Sequence, residues 1–568
     1  MKYKTEREVF ERALQLVGKR FGDIDKTKRL ETGKGGVGAM IEENWFGITP
    51  NNRAEPDFAE AGVELKATPF IKKKDGTYAA KERLVCNIIN YMTEYQKTFR
   101  ESDFWHKCKR MLILSYEYKK DLPKSDYEIA KAILFSFPVI DLIIIEQDWK
   151  TIIQKIKSGN ADKITEGDTF YLAACTKGAN SETVREQPFS KVPAKQRAYS
   201  LKPSYMTRVL NEYVFGNKTD ENIITEADQL SLEKNGFEKL IKDKVSPYFG
   251  KTEAELASLF GVDKGSKHIR AIILARMLNL TCDVENAAEF KNANILVKTV
   301  RVQYSGVIKE SMSFPYFKFK EVAEQEWEDS DLCNYLEPAK FLFAVFRENE
   351  NGENEFRYIK FWNIPYDDLC EVQRVWERTK QILNSGVELT EVNGVQHNNL
   401  PKSTESPICH VRPHARNKKD TDTLPDGREM PKQCFWFNQK YVKKIIQPDY
   451  KVTPGPVNIE EKPIEYTGNS KRVLSKVQII PCGAIVYHSK LGFGTVVEIA
   501  MNFGTEDWMV FPYRTNEEKP FTILADGMSV NHKEYGEGKI SYYTVQFSQS
   551  KCNFTLEDID DGILKIYG

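Results

Sequence analysis

The feature that most restricts the fold of this 568-residue chain is an internal repetition. Four short segments from the stretch 1–216 reappear further along the chain in the same order and at a nearly constant offset. The pairs are residues 57–66 with 289–298, Lys109 and 111–114 with Lys340 and 341–346, 177–180 with 414–417, and 201–205 with 437–441. One such pair could arise by chance, but four in one order predict two copies of a single domain.

The length agrees with several domains, because long chains split into units of about 100 to 200 residues. Two stretches that are polar or interrupted by proline are predicted linkers, at residues 217–236 and 448–478. They divide the chain into a first domain at 1–216, a second domain at 237–447 and a C-terminal region at 479–568.

The first domain mixes helical and strand patterns. A capping box from Thr5 to Glu8 begins one helix, and further helices are predicted around 40–45, 148–158 and 203–215. Strands are predicted at 62–70, 84–90, 110–118 and 169–176, with a turn at 74–77. The apolar segment 138–146 is interpreted as a buried strand or a helix turn. We therefore predict an α/β fold with a mixed sheet, duplicated along the chain.

The C-terminal region contains a shorter repeat. The pattern Gly-x-x-Val-x-His-x-x-x-Gly-x-Gly begins at Gly483 and again, with identical spacing, at Gly527. Alternating strands flank both copies, which predicts one or two small all-β barrels of the SH3-like or Tudor-like type. His488 and His532 are interpreted as turn residues, so no metal is predicted there. Contact with the phosphates of a nucleic-acid backbone and a purely structural role are both open for this region.

Charge and hydropathy exclude several functional classes. The 82 basic residues balance the 82 acidic ones, so any site for a polyanion must be local. The longest apolar segment is too short to span a bilayer, and the charged N-terminus lacks a secretory signal. Ten cysteines without a C-x-x-C pair argue against a zinc ribbon or a disulfide framework. We expect a cytoplasmic protein with reduced, mostly buried thiols and no membrane partner.

Asp57, Glu64 and Lys66 form the candidate catalytic pattern. Glu64 and Lys66 are two apart on a predicted strand, so their side chains point to one face. Asp57 precedes Gly62, where a turn could place its carboxylate beside Glu64. Two carboxylates suit Mg²⁺, which prefers oxygen ligands and keeps waters for a substrate phosphate. The alternative is a surface strand with an ordinary ion pair, because this pattern also occurs by chance in long proteins.

Four motifs in chain order resemble those of a known family. They occupy residues 33–42, 57–69, 106–110 and 176–180. Together they resemble the MutH-like family of mismatch-repair nicking and type II restriction endonucleases, over most of residues 1–216. The resemblance implies a restriction-endonuclease-like core of the PD-(D/E)xK type. The glycines at 33–38 are not a phosphate-binding P-loop, because the G-x-x-x-x-G-K-[ST] spacing is absent.

The resemblance also implies roles for individual residues. Glu42 matches a helix glutamate that supports the metal site, and Asp57 and Glu64 match the carboxylates that hold Mg²⁺. Lys66 matches the catalytic lysine. Lys107 matches a basic residue near the scissile phosphate, although a solvated lysine before a strand is the simpler interpretation.

The family's DNA-reading segment resembles residues 176–180. This implies that Lys177 and Asn180 reach the bases, with Lys177 placed to contact a guanine edge. Lys202, before the last predicted helix of the domain, is expected at a phosphate. Cys175 stands where the single-domain repair enzyme has an arginine, so detailed base contacts do not transfer.

The second copy has lost the catalytic pattern. Leu296 corresponds to Glu64, Glu289 to Asp57 and Pro338 to Lys107, and a leucine cannot bind Mg²⁺.

The second copy keeps basic residues in its reading segment, namely Arg412, His414 and Arg416. Arg412 or Arg416 could pair with guanine or phosphate, or the arginines could pair with nearby acids such as Asp420. An active copy followed by a degenerate one resembles the two-domain restriction enzymes that cut at GATC, whose second domain is an allosteric DNA-binding module.

The leading hypothesis is a Mg²⁺-dependent type II restriction endonuclease that cuts double-stranded DNA at a short palindrome, GATC by resemblance, and leaves 5′-phosphates. A repair-type nicking endonuclease and a non-catalytic DNA-binding protein are the alternatives. One active site per chain implies that cutting both strands needs either dimerisation on DNA or sequential nicking. A second DNA site is expected on residues 237–447.

Overall fold

The computed structural model describes residues 3–446, apart from 32–35, 51–53, 179–182, 218–219, 309–311, 393–394 and 418, together with eight strands between residues 485 and 567. The chain forms two compact units, Met1–Gly455 and Pro456–Gly568. The predicted linker 448–478 lies outside the described residues.

The N-terminal half of the first unit is a mixed α/β assembly. Its helices are α1 (Glu6–Leu14), α2 (Phe21–Ile24), α3 (Gly36–Ile41), α4 (Tyr91–Glu94), α5 (Asp103–Cys108), α6 (Val139–Lys157) and α7 (Pro203–Arg208). Its strands are β1 (Glu64–Lys72), β2 (Tyr78–Ala80), β3 (Leu84–Ile88), β4 (Met111–Glu117), β5 (Ile129–Phe135), β6 (Leu172–Thr176), β7 (Val184–Gln187), β8 (Ser190–Lys195) and β9 (Arg197–Leu201). One sheet has the order β2-β1-β4-β5, in which β1 and β4 are parallel, and a second has the order β3-β9-β6.

Local sequence signals account for most of these elements. The predicted capping box is present, with the Thr5 side chain bonded to the backbone of Glu8 and the Glu8 side chain bonded back to Thr5. The predicted strands near 62–70, 84–90 and 110–118 correspond to β1, β3 and β4. The strand interpretation of 138–146 was wrong, because these residues belong to α6, which begins after Pro138. Proline is compatible with a helix start, since its missing N–H has no partner there.

The following block is also a mixed α/β assembly. Its helices are α8 (Gln229–Asn235), α9 (Phe237–Val245), α10 (Glu253–Phe260), α11 (Ile269–Met277), α12 (Ala288–Ala293), α13 (Phe319–Glu324), α14 (Asp331–Leu336), α15 (Tyr366–Ser385) and α16 (Gln439–Ile446). Its strands are β10 (Ile295–Val302), β11 (Met312–Phe317), β12 (Lys340–Glu348), β13 (Asn354–Trp362), β14 (Leu389–Val392), β15 (Val395–Asn398), β16 (Cys409–Pro413), β17 (Thr421–Thr423), β18 (Glu429–Pro431) and β19 (Gln433–Phe437).

The two blocks share a strand order. In the second block, β10 and β12 are parallel and β13 is antiparallel to β12, as β1, β4 and β5 are in the first. The sheet β11-β19-β16 has the order of β3-β9-β6. The long helices α6 and α15 each follow the third strand of their sheet. The same topology therefore occurs twice in one chain.

The largest apolar core draws side chains from both blocks. It includes Trp149 and Tyr205 of the first block and Phe290 and Phe346 of the second. Leu232 on α8, inside the predicted linker 217–236, is also buried in this core. The domain boundaries themselves stay a prediction.

Gly167 lies directly against the backbone of the second block. A Cβ atom built on it would lie 2.7 Å from the Ala339 carbonyl oxygen and 2.9 Å from that of Glu337. We expect Gly167→Ala to lower the free energy of unfolding by about 2 kcal/mol, because overpacking against backbone cannot relax easily. Urea denaturation checks this. Gly265→Ala is the matched control, since its nearest neighbour is an Asp263 carboxylate oxygen at 3.6 Å, and an equal loss there would contradict the prediction.

The second unit contains the glycine repeat. Its strands are β20 (Ile485–His488), β21 (Gly492–Asn502), β22 (Met509–Pro512), β23 (Phe521–Ile523), β24 (Ser529–His532), β25 (Gly536–Gln546), β26 (Lys551–Phe554) and β27 (Leu564–Tyr567). They form one antiparallel sheet with the path β23-β24-β25-β21-β20-β27. Each repeat copy forms a hairpin with the same register, His488 opposite Gly492 and His532 opposite Gly536. The SH3-like or Tudor-like assignment stays a prediction.

Two further expectations concern thiols and membranes. Eight of the cysteines lie in the described part of the chain; all eight are free thiols and six are buried, as the sequence predicts. Within that part, no helix combines the length and the apolarity that crossing a bilayer requires.

Candidate active site

Strand β1 carries the candidate catalytic residues into the interior. Glu64 begins β1, and its backbone N–H donates to the Arg110 carbonyl at 3.0 Å, which fixes the register of β1 against β4. Glu64 and Lys66 lie on the same face of the strand, as their spacing predicts. Glu64 is only 2% exposed, so this pair is not an ordinary surface ion pair.

Glu64 is the centre of the cluster. Its Oε1 atom accepts from the Lys66 Nζ at 2.8 Å and lies 3.4 Å from the Lys107 Nζ. Its Oε2 atom accepts from the backbone N–H of Asp57 at 3.2 Å. The solvated-lysine interpretation of Lys107 is therefore wrong, because its side chain is buried and faces Glu64.

A tight turn returns Asp57 to the strand. Phe58 and Val63 pair across it, and Gly62 adopts a left-handed φ of 66°, which glycine tolerates without strain. The Asp57 Oδ2 atom accepts from the Leu65 N–H at 3.0 Å. Asp57 and Glu64 are thus each held by backbone close to the other, as the sequence predicts from the glycine.

Backbone carbonyls hold both lysines in place. The Lys66 Nζ also donates to the Cys86 carbonyl on β3 at 3.2 Å, and the Lys107 Nζ donates to the Glu55 carbonyl at 3.4 Å. Although burial opposes it, the Glu64 carboxylate raises the pKa of Lys66 above its ordinary value. Lys66 is therefore a fixed cation. No sequence signal identifies Glu55 or Cys86, because each contributes a carbonyl that any residue carries.

Glu42 lies near the cluster at the start of a π-helical turn, Glu42–Phe46. Burial, and then the charges of Asp57 and Glu64, raise the pKa of Glu42 to about 7, while Lys66 and Lys107 oppose this rise. Burial also raises the pKa of Glu64 to about 7, with Lys66 holding it down and Asp57 adding to the rise. Glu42 and Glu64 therefore lie in surroundings that oppose their ionised forms, because burial and neighbouring carboxylates raise the pKa of each.

The donor set fits a hard divalent cation. Asp57 and Glu64 offer carboxylate oxygens on adjacent backbone, and the mutually raised carboxyl pKa values indicate a site that an added positive charge would relieve. Among the described residues, no three His, Cys, Asp or Glu side chains form a complete ligand group. Two carboxylates with several waters are the arrangement that Mg²⁺ commonly uses, so the residues present fit this ion.

The raised pKa values make a prediction about metal affinity. A carboxyl with a pKa of about 7 is mostly protonated at pH 6, and its proton must leave before a cation binds. We expect the Mg²⁺ affinity to fall by about tenfold between pH 8 and pH 6. Isothermal titration calorimetry in two buffers checks this through the number of protons released. A constant affinity over this range would contradict the raised pKa of Glu64.

The residues of the first block that were predicted to contact DNA do not lie in one kind of environment. Lys177 is exposed directly after β6, and its N–H donates to the Gln196 carbonyl at 2.8 Å. Asn180 lies outside the described residues. The predicted phosphate contact of Lys202 is wrong: Lys202 is 1% exposed, and its Nζ donates to the carbonyls of Thr169 and Pro338 at 2.6 and 3.2 Å. Burial lowers the pKa of Lys202 to about 8.

The basic residues of the second block lie together on a surface. Arg412, His414 and Arg416 are exposed. The Arg412 guanidinium lies 4.8 Å from the Trp436 ring centroid, and the His414 ring lies 5.6 Å from that ring. Asp420 pairs with Lys432 at 2.6 Å and accepts from the Arg416 backbone N–H. Trp436, which sequence reasoning missed, therefore supports the basic surface.

The second block lacks the catalytic cluster. Glu289 is buried on α12, where its carboxylate accepts from the N–H groups of Ile223 and Ile224, both at 2.9 Å. Leu296 lies on β10 and packs against the second core. Pro338 was expected to correspond to Lys107 in the second block, but counting from the N-caps of the helices α5 and α14 makes Tyr335 the corresponding residue. Lys107 is five residues after the cap Ser102, and Tyr335 is five after the cap Ser330.

Comparisons with known proteins agree with this geometry. The family described as "DNA mismatch repair enzyme MutH" matches residues 46–148. The type II restriction enzyme Sau3AI of Staphylococcus aureus is 38% identical over 486 residues, covering 78% of this chain and 99% of that enzyme. The DNA mismatch repair protein MutH of Serratia proteamaculans (strain 568) is 27% identical over 224 residues. That of Shewanella sp. (strain ANA-3) is 29% identical over 221 residues. Each of these two matches covers 37% of this chain and 95% of the relative. The chain belongs to the MutH-like family of DNA mismatch-repair and type II restriction endonucleases.

Proposed function

We propose that this chain, a restriction endonuclease by its family, hydrolyses double-stranded DNA at the short palindrome GATC and leaves 5′-phosphates. The observation that carries the proposal is the buried cluster in which Glu64 contacts Lys66 at 2.8 Å and Lys107 at 3.4 Å beside Asp57. GATC comes from the resemblance to two-domain restriction enzymes. Because the substrate is DNA, the cytoplasm is the expected location.

The chain's own residues would divide the chemistry as follows. Asp57 and Glu64 would hold Mg²⁺, with Glu42 adding negative charge behind them. The ion would supply charge neutralisation at the scissile phosphate and at the leaving 3′-oxygen. Lys66, fixed between Glu64 and the Cys86 carbonyl, would orient the attacking water and offset growing negative charge. Lys107 would stabilise the phosphate from the end of α5.

The second block would be a duplicated, non-catalytic DNA-binding module on residues 237–447. The repeated strand order supports the duplication. Leu296 in place of Glu64 supports the loss of cutting. The exposed Arg412 and His414 beside Trp436, together with the exposed Arg416, support DNA binding. DNA on this block would act as an effector of the first block.

Cutting both strands raises the question of stoichiometry. If each chain has one active site, cutting both strands requires either that two chains meet on the DNA or that one chain nicks the two strands in sequence. The relatives named DNA mismatch repair protein MutH favour nicking as the second candidate function. A second reading block argues for a restriction enzyme instead, because a nickase would not need it.

Plasmid digestion separates the candidates. Purified protein with supercoiled plasmid and Mg²⁺ should give linear fragments for a restriction enzyme, open circles for a nickase and unchanged supercoils for a non-catalytic binder. Sequencing the fragment ends gives the recognition site, the cut position and the terminal phosphate. Fragments that share no common end sequence would contradict site-specific cutting.

A further inference from the structure

Five large apolar side chains are exposed on three neighbouring elements, namely the end of β3, the helix α4 and the β7–β8 hairpin. Phe189, Val192 and Ile88 are 55%, 54% and 52% exposed, and Met92 and Val184 are close to half exposed. We call Ile88, Met92, Val184, Phe189 and Val192 the apolar ridge. Strand β7 packs against α4, and the Phe189 ring lies 5.1 Å from that of Tyr95, which brings the two sides of the ridge together.

The backbone beneath the ridge is firmly held. Gln187 in the β7–β8 hairpin accepts from the Ala161 N–H at 3.0 Å and donates to Asp162 at 2.8 Å. A Cβ atom on Gly159 would lie 2.6 Å from the Phe189 carbonyl oxygen, so the hairpin lies directly on the end of α6. The exposed side chains therefore project from a fixed support, which is the arrangement that a preorganised contact surface requires.

The position of the ridge relates it to the active site. Strands β3 and β6 both pair antiparallel with β9, and Ile88 and Cys175 both lie opposite Ala198. The C-terminal ends of β3 and β6 are therefore at the same end of the sheet, on either side of β9 and roughly 10 Å apart, which is two strand spacings. Lys177 leaves β6 at this end. In the other direction, Cys86, whose carbonyl accepts from Lys66, is two residues before Ile88, roughly 7 Å along the strand. Ile88 of the ridge thus lies on β3 between the carbonyl that holds Lys66 and the end of the sheet where Lys177 leaves β6.

The charges around the ridge indicate the chemistry of its partner. The hairpin residues 184–195 carry Arg185, Lys191 and Lys195 against the single carboxylate of Glu186. Lys177, Arg185 and Lys191 are exposed. In a chain with no net charge, a local cationic rim around apolar side chains is complementary to DNA, whose phosphates bind cations while sugars and thymine methyl groups offer apolar surface.

We propose that the apolar ridge is part of the DNA-contacting surface and packs on the sugars and bases of the duplex between the scissile phosphate and the base pair read by Lys177. The proposal rests on the proposed function and adds a contact surface to it. Apolar contacts of this kind add affinity and fix the position of the duplex without neutralising phosphates.

The test compares Phe189→Ser/Val192→Ser with the control Leu230→Ser/Leu259→Ser, whose side chains are 78% and 59% exposed on α8 and α10. Binding of a fluorescent duplex containing GATC is measured by anisotropy over a range of salt concentrations, with Ca²⁺ replacing Mg²⁺. We expect the dissociation constant to rise about tenfold for the ridge variant alone. The slope of log affinity against log salt should stay unchanged, whereas Lys191→Gln should reduce it by about one.

Three results decide the matter. An unchanged dissociation constant in the ridge variant overturns the proposal. So does a wild-type dimer, measured by sedimentation without DNA, that the ridge substitutions dissociate, because the ridge would then join two copies of the chain. Thermal melting shows whether the variants are folded. If the double variant is unfolded, the single variant Val192→Ser takes its place. Wild-type protein that fails to cut plasmid overturns the proposed function, whereas wild-type cutting with normal binding by the ridge variant overturns the ridge alone.

Discussion

Asp57→Asn is expected to reduce the rate of DNA cleavage by about a thousandfold while DNA binding is retained. Asparagine keeps the size of the side chain, and its amide oxygen can still accept from the Leu65 N–H, which the Asp57 Oδ2 atom does at 3.0 Å. The turn at Gly62 should therefore survive. The substitution removes one of the two negative charges that would hold the divalent ion, and an amide oxygen is a much weaker ligand than a carboxylate.

Single-turnover cleavage of a labelled duplex in Mg²⁺ measures the rate, and anisotropy in Ca²⁺ measures binding. Asp75→Asn is the matched control, because Asp75 is an exposed aspartate in the turn after the same strand, where its side chain accepts from Thr77. Removing a negative charge near the phosphate should leave DNA affinity unchanged or increase it. Cleavage within tenfold of the wild-type rate would show that Asp57 is not an essential metal ligand. The second block would then be the alternative source of the activity.

The clustering of Asp57, Glu64 and Lys66 was predictable because their pattern is local. Residues two apart on a strand share a face whatever the rest of the chain does, and the left-handed φ at Gly62 is one that glycine adopts readily. The mixed α/β fold follows in the same way from strand and helix periodicity. For residues 138–146 the sequence left a buried strand and a helix turn open, because a short apolar run fits either one, and the structure has the helix α6 there.

The remainder depends on contacts between distant parts of the chain. Lys202 looked like a surface residue before a helix, but the Pro338 carbonyl, which accepts from its Nζ, is contributed by the other block. Lys107 was matched to Pro338 by a constant offset, whereas the caps at Ser102 and Ser330 show that the offset changes between helix and strand. The lysine partners at Glu55 and Cys86 are backbone carbonyls, which carry no sequence signature.

The residues of the second block that correspond to Glu64 and Asp57 have different surroundings. In the first block, burying Glu64 is tolerable because Lys66 and Lys107 both face it. At the corresponding position, Leu296 packs against the core and needs no cation. Glu289 keeps a carboxylate but directs it to two backbone N–H groups. The remaining carboxylate therefore has a structural role, which agrees with a block that would bind DNA without cutting it.

Lys66→Met should reduce cleavage by about 100- to 1,000-fold at pH 7, as expected when a preorganised cation is removed from a transition state. Methionine preserves the length of the buried side chain. Of the two lysines that face it, Glu64 loses the one at 2.8 Å and keeps Lys107 at 3.4 Å, so its pKa, already raised to about 7 by burial, will rise further. More of Glu64 is then protonated at neutral pH, and less is available to hold a cation.

The pH dependence separates two roles for this lysine. If Lys66 acts by keeping Glu64 ionised, raising the pH to 9 should restore part of the activity, because the carboxyl then loses its proton without help. If it acts on the attacking water or the developing charge, the loss should persist at pH 9. Lys72→Met, at the exposed end of the same strand, is the matched control and should cleave at the wild-type rate. Wild-type activity in Lys66→Met at every pH would contradict a catalytic role, because a buried ammonium fixed between Glu64 and the Cys86 carbonyl would then serve only the fold.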